Sequence, residues 1–238
     1  MQSSSKKETI DCFENAIKNL NNVRTLYTEN FVNWKGVTKD SKEYYTEIIA
    51  EELINKINNE NIISENIKPL ERENYKVPSR GKTFISNTNR KEENVAKRID
   101  KMECGELGHI LYYQMPLKPN NKIKKVGKID LVSFKKDENI VYVIELKVAN
   151  KNETLLRAIL EIITYYQQLN QTNFINSFKD DLGDKYKKVE IQPAVLLTCD
   201  CRAYEEVEQL DERPYLKELI KKLDVELFSL SLNIQSIE

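Results

Sequence analysis

The sequence predicts an α/β fold whose core runs helix, three-strand meander, helix, strand, behind an N-terminal helical extension. Three observations predict it. Apolar residues recur at helical spacing in four separate segments. Three strand-like runs between residues 107 and 148 are divided only by short polar turns. A short apolar run suited to a buried strand, residues 193–198, follows the last of the four helical segments.

The first helix is read from Ile10, Phe13, Ile17 and Leu20, over about residues 9–20. The second is read from Tyr44, Ile48, Leu53 and Ile57. Between Asn58 and Lys82 the chain turns polar, with Pro69, Pro78 and Gly81 as breakers, which predicts a connecting region. Residues 1–80 are therefore expected to be the helical extension and residues 81–238 the main domain. That domain opens on a helix from Asn89 to Met102 with Val95, Ile99 and Met102 on one stripe. The strands follow: Leu107 to Leu117, Val126 to Phe134, and Ile140 to Val148. Lys118-Pro119-Asn120-Asn121 and Lys135 to Asn139 form the turns. Leu155, Ala158, Ile159, Ile162, Ile163, Tyr166 and Leu169 make a helix over residues 154–169, and Pro193 to Thr198 the fourth strand. A helix from Pro214 to Leu223, with proline in its first turn, and a strand from Val225 to Leu230 complete the order.

Composition narrows the chemistry. Charged residues form 32% of the 238, but 37 basic and 38 acidic residues leave a formal charge of -1, so no global basic field attracts a polyanion. A nucleic-acid partner would have to meet Lys and Arg gathered on one face, with metal ions assisting. The opening Met-Gln-Ser-Ser-Ser-Lys-Lys lacks the apolar core of a signal peptide and no stretch is long and apolar enough for a bilayer. A cytoplasmic protein with no membrane partner is expected. Cys12, Cys104, Cys199 and Cys201 lack zinc-site spacing and are expected to be reduced and mostly buried. His109 is the only histidine, which excludes a His-based triad or multi-histidine metal site within one chain. Hydrolysis would then rest on carboxylates, lysine and metal.

Strand alternation supplies such a set. In the third strand Ile144, Leu146 and Val148 point one way while Glu145 and Lys147 share the other face. A hairpin of this length can place Asp130, from Lys128-Ile129-Asp130-Leu131-Val132, beside Glu145. Two carboxylates meeting among Val, Ile, Leu and Tyr repel each other, and a hard cation, Mg2+ or Mn2+, relieves that. It would take carboxylate oxygens, a backbone carbonyl (Leu146 is the candidate) and waters. The competing reading is an exposed Glu145–Lys147 pair on a half-buried strand with Asp130 a solvated neighbour.

Gly127-Lys128-Ile129-Asp130-Leu131 followed by Ile144-Glu145-Leu146-Lys147 resembles the PD-(D/E)XK nuclease superfamily, over about residues 85–200. Ile129 stands where that signature has an optional proline. The resemblance implies a restriction-endonuclease-like core in which Asp130 and Glu145 hold the metal and Lys147 assists the attacking water. It further implies a metal-dependent phosphodiesterase, an endonuclease acting on DNA rather than RNA. The alternatives are an inactive nuclease-fold binding or scaffold protein, or a toxin or defence component controlled by a partner. A homo-oligomer or a regulatory protein partner is compatible with each.

Superfamily members often add a glutamate from the helix before the meander, which points to Glu92, on the stripe of Val95, Ala96 and Ile99, with Glu93 the alternative. A first-turn acid favouring the helix dipole is the competing reading. Some branches carry Gln-x-x-x-Tyr on the helix after the E-x-K strand. Glu161 to Tyr165 resembles it with Glu in place of Gln, and Arg157, Glu161 and Tyr165 follow at four-residue spacing as a polar ridge expected to meet the substrate. Glu161 is then expected to pair with Arg157 or Lys147. Lys122, Lys124, Lys125 and Lys128 form a basic turn beside Asp130 that could steer phosphate or be a solvated loop. His109 and Trp34 are expected to serve surface and packing roles, and of Tyr112 and Tyr113 one is expected to face the core and the other outward.

Overall fold

The computed structural model describes residues 4–18, 20–60, 67–76, 91–99, 105–119, 127–149 and 152–230. Helix α1 (Lys6–Ile17) begins before the apolar stripe because Ser5 and Glu8 close a reciprocal capping box at its start. It ends at Ile17, and Leu20–Thr28 continues as 3-10 turns rather than as the same helix. A second 3-10 turn (Asn30–Asn33) leads to α2 (Tyr45–Glu60). Helix α3 (Lys91–Ile99) follows; the remaining residues of the predicted 89–102 helix, and the boundary expected near residue 80, lie outside the described residues.

The strands are β1 (His109–Pro116), β2 (Lys128–Lys135), β3 (Ile140–Lys147), β4 (Glu190–Thr198) and β5 (Glu226–Leu230). Strand β1 starts later than predicted because Leu107 closes a 3-10 turn and Gly108, at φ +70°, lies so close to the Phe134 backbone that no Cβ would fit. Strand β4 extends three residues ahead of Pro193, which stands one position before the first β4–β5 pair, Ala194 with Glu226. Helices α4 (Leu155–Gln168) and α8 (Pro214–Lys222) occupy the predicted places. The short α5 (Gln171–Ser177), α6 (Lys179–Leu182) and α7 (Arg202–Glu208) have no counterpart among the predicted elements, since one or two turns carry too little periodicity.

The sheet has the order β1-β2-β3-β4-β5, with β1 to β3 an antiparallel meander and β3 to β5 parallel. Two crossovers that advance in the same direction bring their helices to one face. Accordingly Leu155, Ile159 and Ile163 of α4 and Leu216 and Leu219 of α8 share one apolar cluster, together with Phe13, Phe31, Ile49 and Leu53 of the N-terminal segments. Val95, Ala96 and Ile99 of α3 cover the other face against Leu131, Ile144, Leu146, Ala194 and Leu196. Both faces being covered, Tyr112 and Tyr113 are both buried, which corrects the expectation that one would face outward.

Of the described cysteines only Cys201 is buried; Cys12 is half-buried and Cys199 exposed, so the expectation of mostly buried thiols fails. Trp34 packs edge-on against Tyr45 with ring centroids 5.4 Å apart, and His109 is exposed. Among the described residues no helix is long and apolar enough to cross a membrane.

Candidate active site

Strand β3 is the middle strand and is buried from Val141 to Lys147, so any charge at its end sits between two layers of helices. The β2–β3 ladder runs to Leu131 with Ile144, and the next step of the same register sets Asp130 opposite Glu145. The ladder stops there. Asp130 Oδ2 accepts the N–H of Leu146 at 3.0 Å, a side chain serving where a strand carbonyl would. On the other side Gln114 interrupts β1. It holds φ +52°, and Tyr113 and Met115, which regular alternation would put on one face, belong to opposite clusters. Gln114 Nε2 donates to Asp130 Oδ1 at 2.6 Å. Two donors therefore aim the Asp130 carboxylate into the fork between strands.

Glu145 and Lys147 point toward α4. Lys147 Nζ lies 2.8 Å from Glu145, 2.7 Å from Glu153 and 2.9 Å from Glu161. Lys147 donates hydrogen bonds to Glu145 and Glu161, and Glu153 stands against the same ammonium as a third carboxylate. The second oxygen of Glu161 accepts the Tyr165 hydroxyl at 2.8 Å, and Tyr27, from the N-terminal 3-10 segment, brings its hydroxyl to 3.4 Å from that of Tyr165. Arg157 turns to Glu153, one turn back, at 3.6 Å. Of its two expected partners, Arg157 and Lys147, Glu161 has thus taken Lys147. Gly127 makes room: a Cβ there would overlap the Tyr165 ring and hydroxyl.

Burial sets the proton affinities. It raises the Asp130 pKa to about 7, opposed by the Leu146 N–H and Lys147 and reinforced by Glu92 and Glu161. Glu145 is held well above the ordinary range, first by burial and then by the Asp130 charge, with Lys147 opposing. Burial alone would lower the Lys147 pKa, but Glu145, Glu161 and Glu153 together hold it well above that of a free lysine. Burial, then Glu161 and Glu145, push the Tyr165 hydroxyl upward.

The predicted residues Asp130, Glu145, Lys147, Arg157, Glu161 and Tyr165 thus form one connected cluster, with Leu146 joining through its N–H. Glu92 is half-buried on α3, and its charge reaches Asp130. Lys128 is exposed at the start of β2. Lys122, Lys124 and Lys125, and the side chain of Glu93, lie outside the described residues. Sequence reasoning missed Gln114, Glu153, Gly127 and Tyr27 as members. Glu153 carried a weak signal, an acid just before the N-cap Thr154, and Gly127 another, a glycine opening the Asp130 strand. Gln114 and Tyr27 carried none.

The donors are all carboxylate oxygens, which suits a hard divalent cation. Among the described residues no group of three His, Cys, Asp or Glu side chains is set to hold a metal. A Mg2+-type ion asks less, one or two carboxylates with water and substrate oxygens completing its shell. Asp130 and Glu145, buried together and each raising the other's cost of ionising, fit that requirement. Comparison of the chain with protein-family models, with curated proteins and with solved structures finds no match.

Proposed function

We propose that this chain is a Mg2+- or Mn2+-dependent nuclease that hydrolyses phosphodiester bonds internally, in DNA rather than RNA. On this reading it has a restriction-endonuclease-like core of the PD-(D/E)XK superfamily. The observation that carries the reading is the meeting of two mutually repelling buried acids, Asp130 and Glu145, beside a buried ammonium at the end of the central strand. A charge arrangement this costly is stable when a cation or an anionic substrate completes it.

Asp130 and Glu145 would hold the ion, with the Leu146 carbonyl as a third donor and Glu92 near enough to add charge. The ion would supply Lewis-acid polarisation of the phosphoryl group and acidify a water. The chain's own residues do the rest. Gln114 and the Leu146 N–H fix the Asp130 carboxylate, so its orientation need not be found on binding. Lys147 orients the attacking water and offsets charge growing on the phosphoryl oxygens. Arg157, Tyr165 and Lys128 are placed to meet the substrate backbone, while Glu161 holds Lys147 in position. Because Asp130 is anionic only above about pH 7, metal uptake strengthens as pH rises through that value.

The test is cleavage of end-labelled single- and double-stranded DNA and RNA with Mg2+ or Mn2+. Asp130→Ala and Lys147→Ala should each remove it, and cleavage that survives either change rejects the assignment. A second reading, an inactive nuclease-fold binding or scaffold protein, is favoured by one observation: three carboxylates crowd Lys147 Nζ within 2.9 Å. Calorimetry separates the two, since a scaffold takes up no Mn2+ and is no less stable after Glu145→Ala.

A further inference from the structure

The carboxylate of Glu153 bridges two cations. One oxygen lies 2.7 Å from Lys147 Nζ and the other 3.6 Å from Arg157 Nε. The second contact is too long for a hydrogen bond, and Arg157 Nε is buried with no hydrogen-bond acceptor. A guanidinium N–H shut away from water and without an acceptor is costly, and an anion larger than a carboxylate would satisfy it. Glu153 also differs from the other two acids on Lys147. Glu145 is buried in the sheet, and Glu161 lies in the middle of α4. Glu153 is the most exposed of the three and stands ahead of the helix, before Thr154.

We infer that Lys147 and Arg157 form a subsite for a phosphate group of the substrate backbone, and that Glu153 occupies this subsite as an internal stand-in which the substrate displaces. This rests on the nuclease reading for the identity of the phosphate, not for the existence of the anion site. The geometry matches the chemistry: a tetrahedral phosphate presents two oxygens to an ammonium and a guanidinium, as the carboxylate does with a shorter reach. Displacement also solves a difficulty. Two Lys147 donors are held by Glu145 and Glu161, and Glu153, 2.7 Å from Nζ, covers the ammonium where a phosphate would approach, so its departure opens that side.

The test titrates inorganic phosphate into the full chain by calorimetry, with and without Mg2+, for wild type, Glu153→Gln and Glu153→Gln/Arg157→Met. The expected result is phosphate binding about tenfold tighter in Glu153→Gln, in at least one buffer, with the gain lost in the double variant. Should Glu153→Gln fold poorly, Glu153→Asp, which draws the carboxylate back by one methylene, should give a smaller gain in the same direction. No gain in either buffer, or a gain that persists without Arg157, overturns the inference. Cleavage of labelled DNA by wild type is scored separately. A phosphate gain without cleavage leaves the subsite standing and removes the nuclease reading, and cleavage without a phosphate gain does the reverse.

Discussion

Two regions of this molecule bury charge, and they do it in opposite ways. Around the N-terminal segments and the helices α4, α7 and α8, the buried charged groups meet neutral or complementary donors and acceptors, although Arg213 Nε itself has no acceptor. Glu47 accepts the N–H groups of Tyr215 and Leu216 at the start of α8. Glu206 accepts the N–H of Leu155 at the start of α4, and Arg213 donates to Thr46 and Gln209 while lying over the Tyr44 ring. Helix N-termini carry partial positive charge, so these acids cap and clamp the fold. At the end of β3 acid instead faces acid, with Lys147 in contact with three of them and Asp130 aimed past it. Burial raises the pKa of Glu47 and Glu206 too, so a raised value alone does not separate the regions. What separates them is whether the neighbours relieve the charge or add to it.

Substitutions distinguish the two regions. The largest effect is expected for Lys147→Met, which leaves Glu145, Glu153 and Glu161 without their shared cation. Cleavage should vanish and unfolding free energy should fall by about 3–5 kcal/mol in urea. A smaller loss would mean that these acids protonate freely.

A pH series on the metal-free protein comes next. The folded pKa of Asp130, about 7, lies above its unfolded value, so its contribution is complete at low pH and is lost as pH rises to 7. Stability should fall over that window by at most about 1.4 kcal/mol per pH unit, and Asp130→Asn should flatten the fall. Saturating Mg2+ should reverse its direction. A slope identical in the variant removes Asp130 from the account.

Gly127→Ala should cost about 1–3 kcal/mol and displace Tyr165, seen as weaker binding of substrate, since the added methyl meets the ring. Glu47→Ala should cost a similar amount, about 1–3 kcal/mol, by leaving two helix N–H groups unmet, while turnover per folded molecule stays unchanged. If turnover falls as far as stability, the clamp and the cluster are not separate. The mildest change is Tyr27→Phe, expected to cost about 1 kcal/mol or less and to alter only the pH profile of cleavage.

The elements with long apolar stripes were legible before the structure. Strands β2 and β3 and helices α4 and α8 stand within about two residues of their predicted bounds, because covered faces and strong periodicity leave little choice. Asp130, Glu145 and Lys147 were also readable, for they lie within two residues of each other or on adjacent strands of one hairpin, and Glu161 stands one helical turn from Arg157 and from Tyr165. Gln114 was not. Its role depends on a break in strand alternation, and its φ of +52° leaves no trace in composition. Tyr27 was invisible for a different reason, being joined to the cluster only by tertiary contact across 138 positions.

That long reach has a consequence for how the chain acquires its shape. Thr154 bonds to Val32 across 122 positions and Leu216 to Glu47 across 169, so the last contacts around the cluster close very large loops. A nascent chain that has left the ribosome only as far as Lys147 already holds Asp130 and Glu145 but lacks Glu153 and Glu161, which follow in synthesis. For that interval the ammonium has a single carboxylate of its final three, and the earliest helices wait for a surface that has yet to be translated.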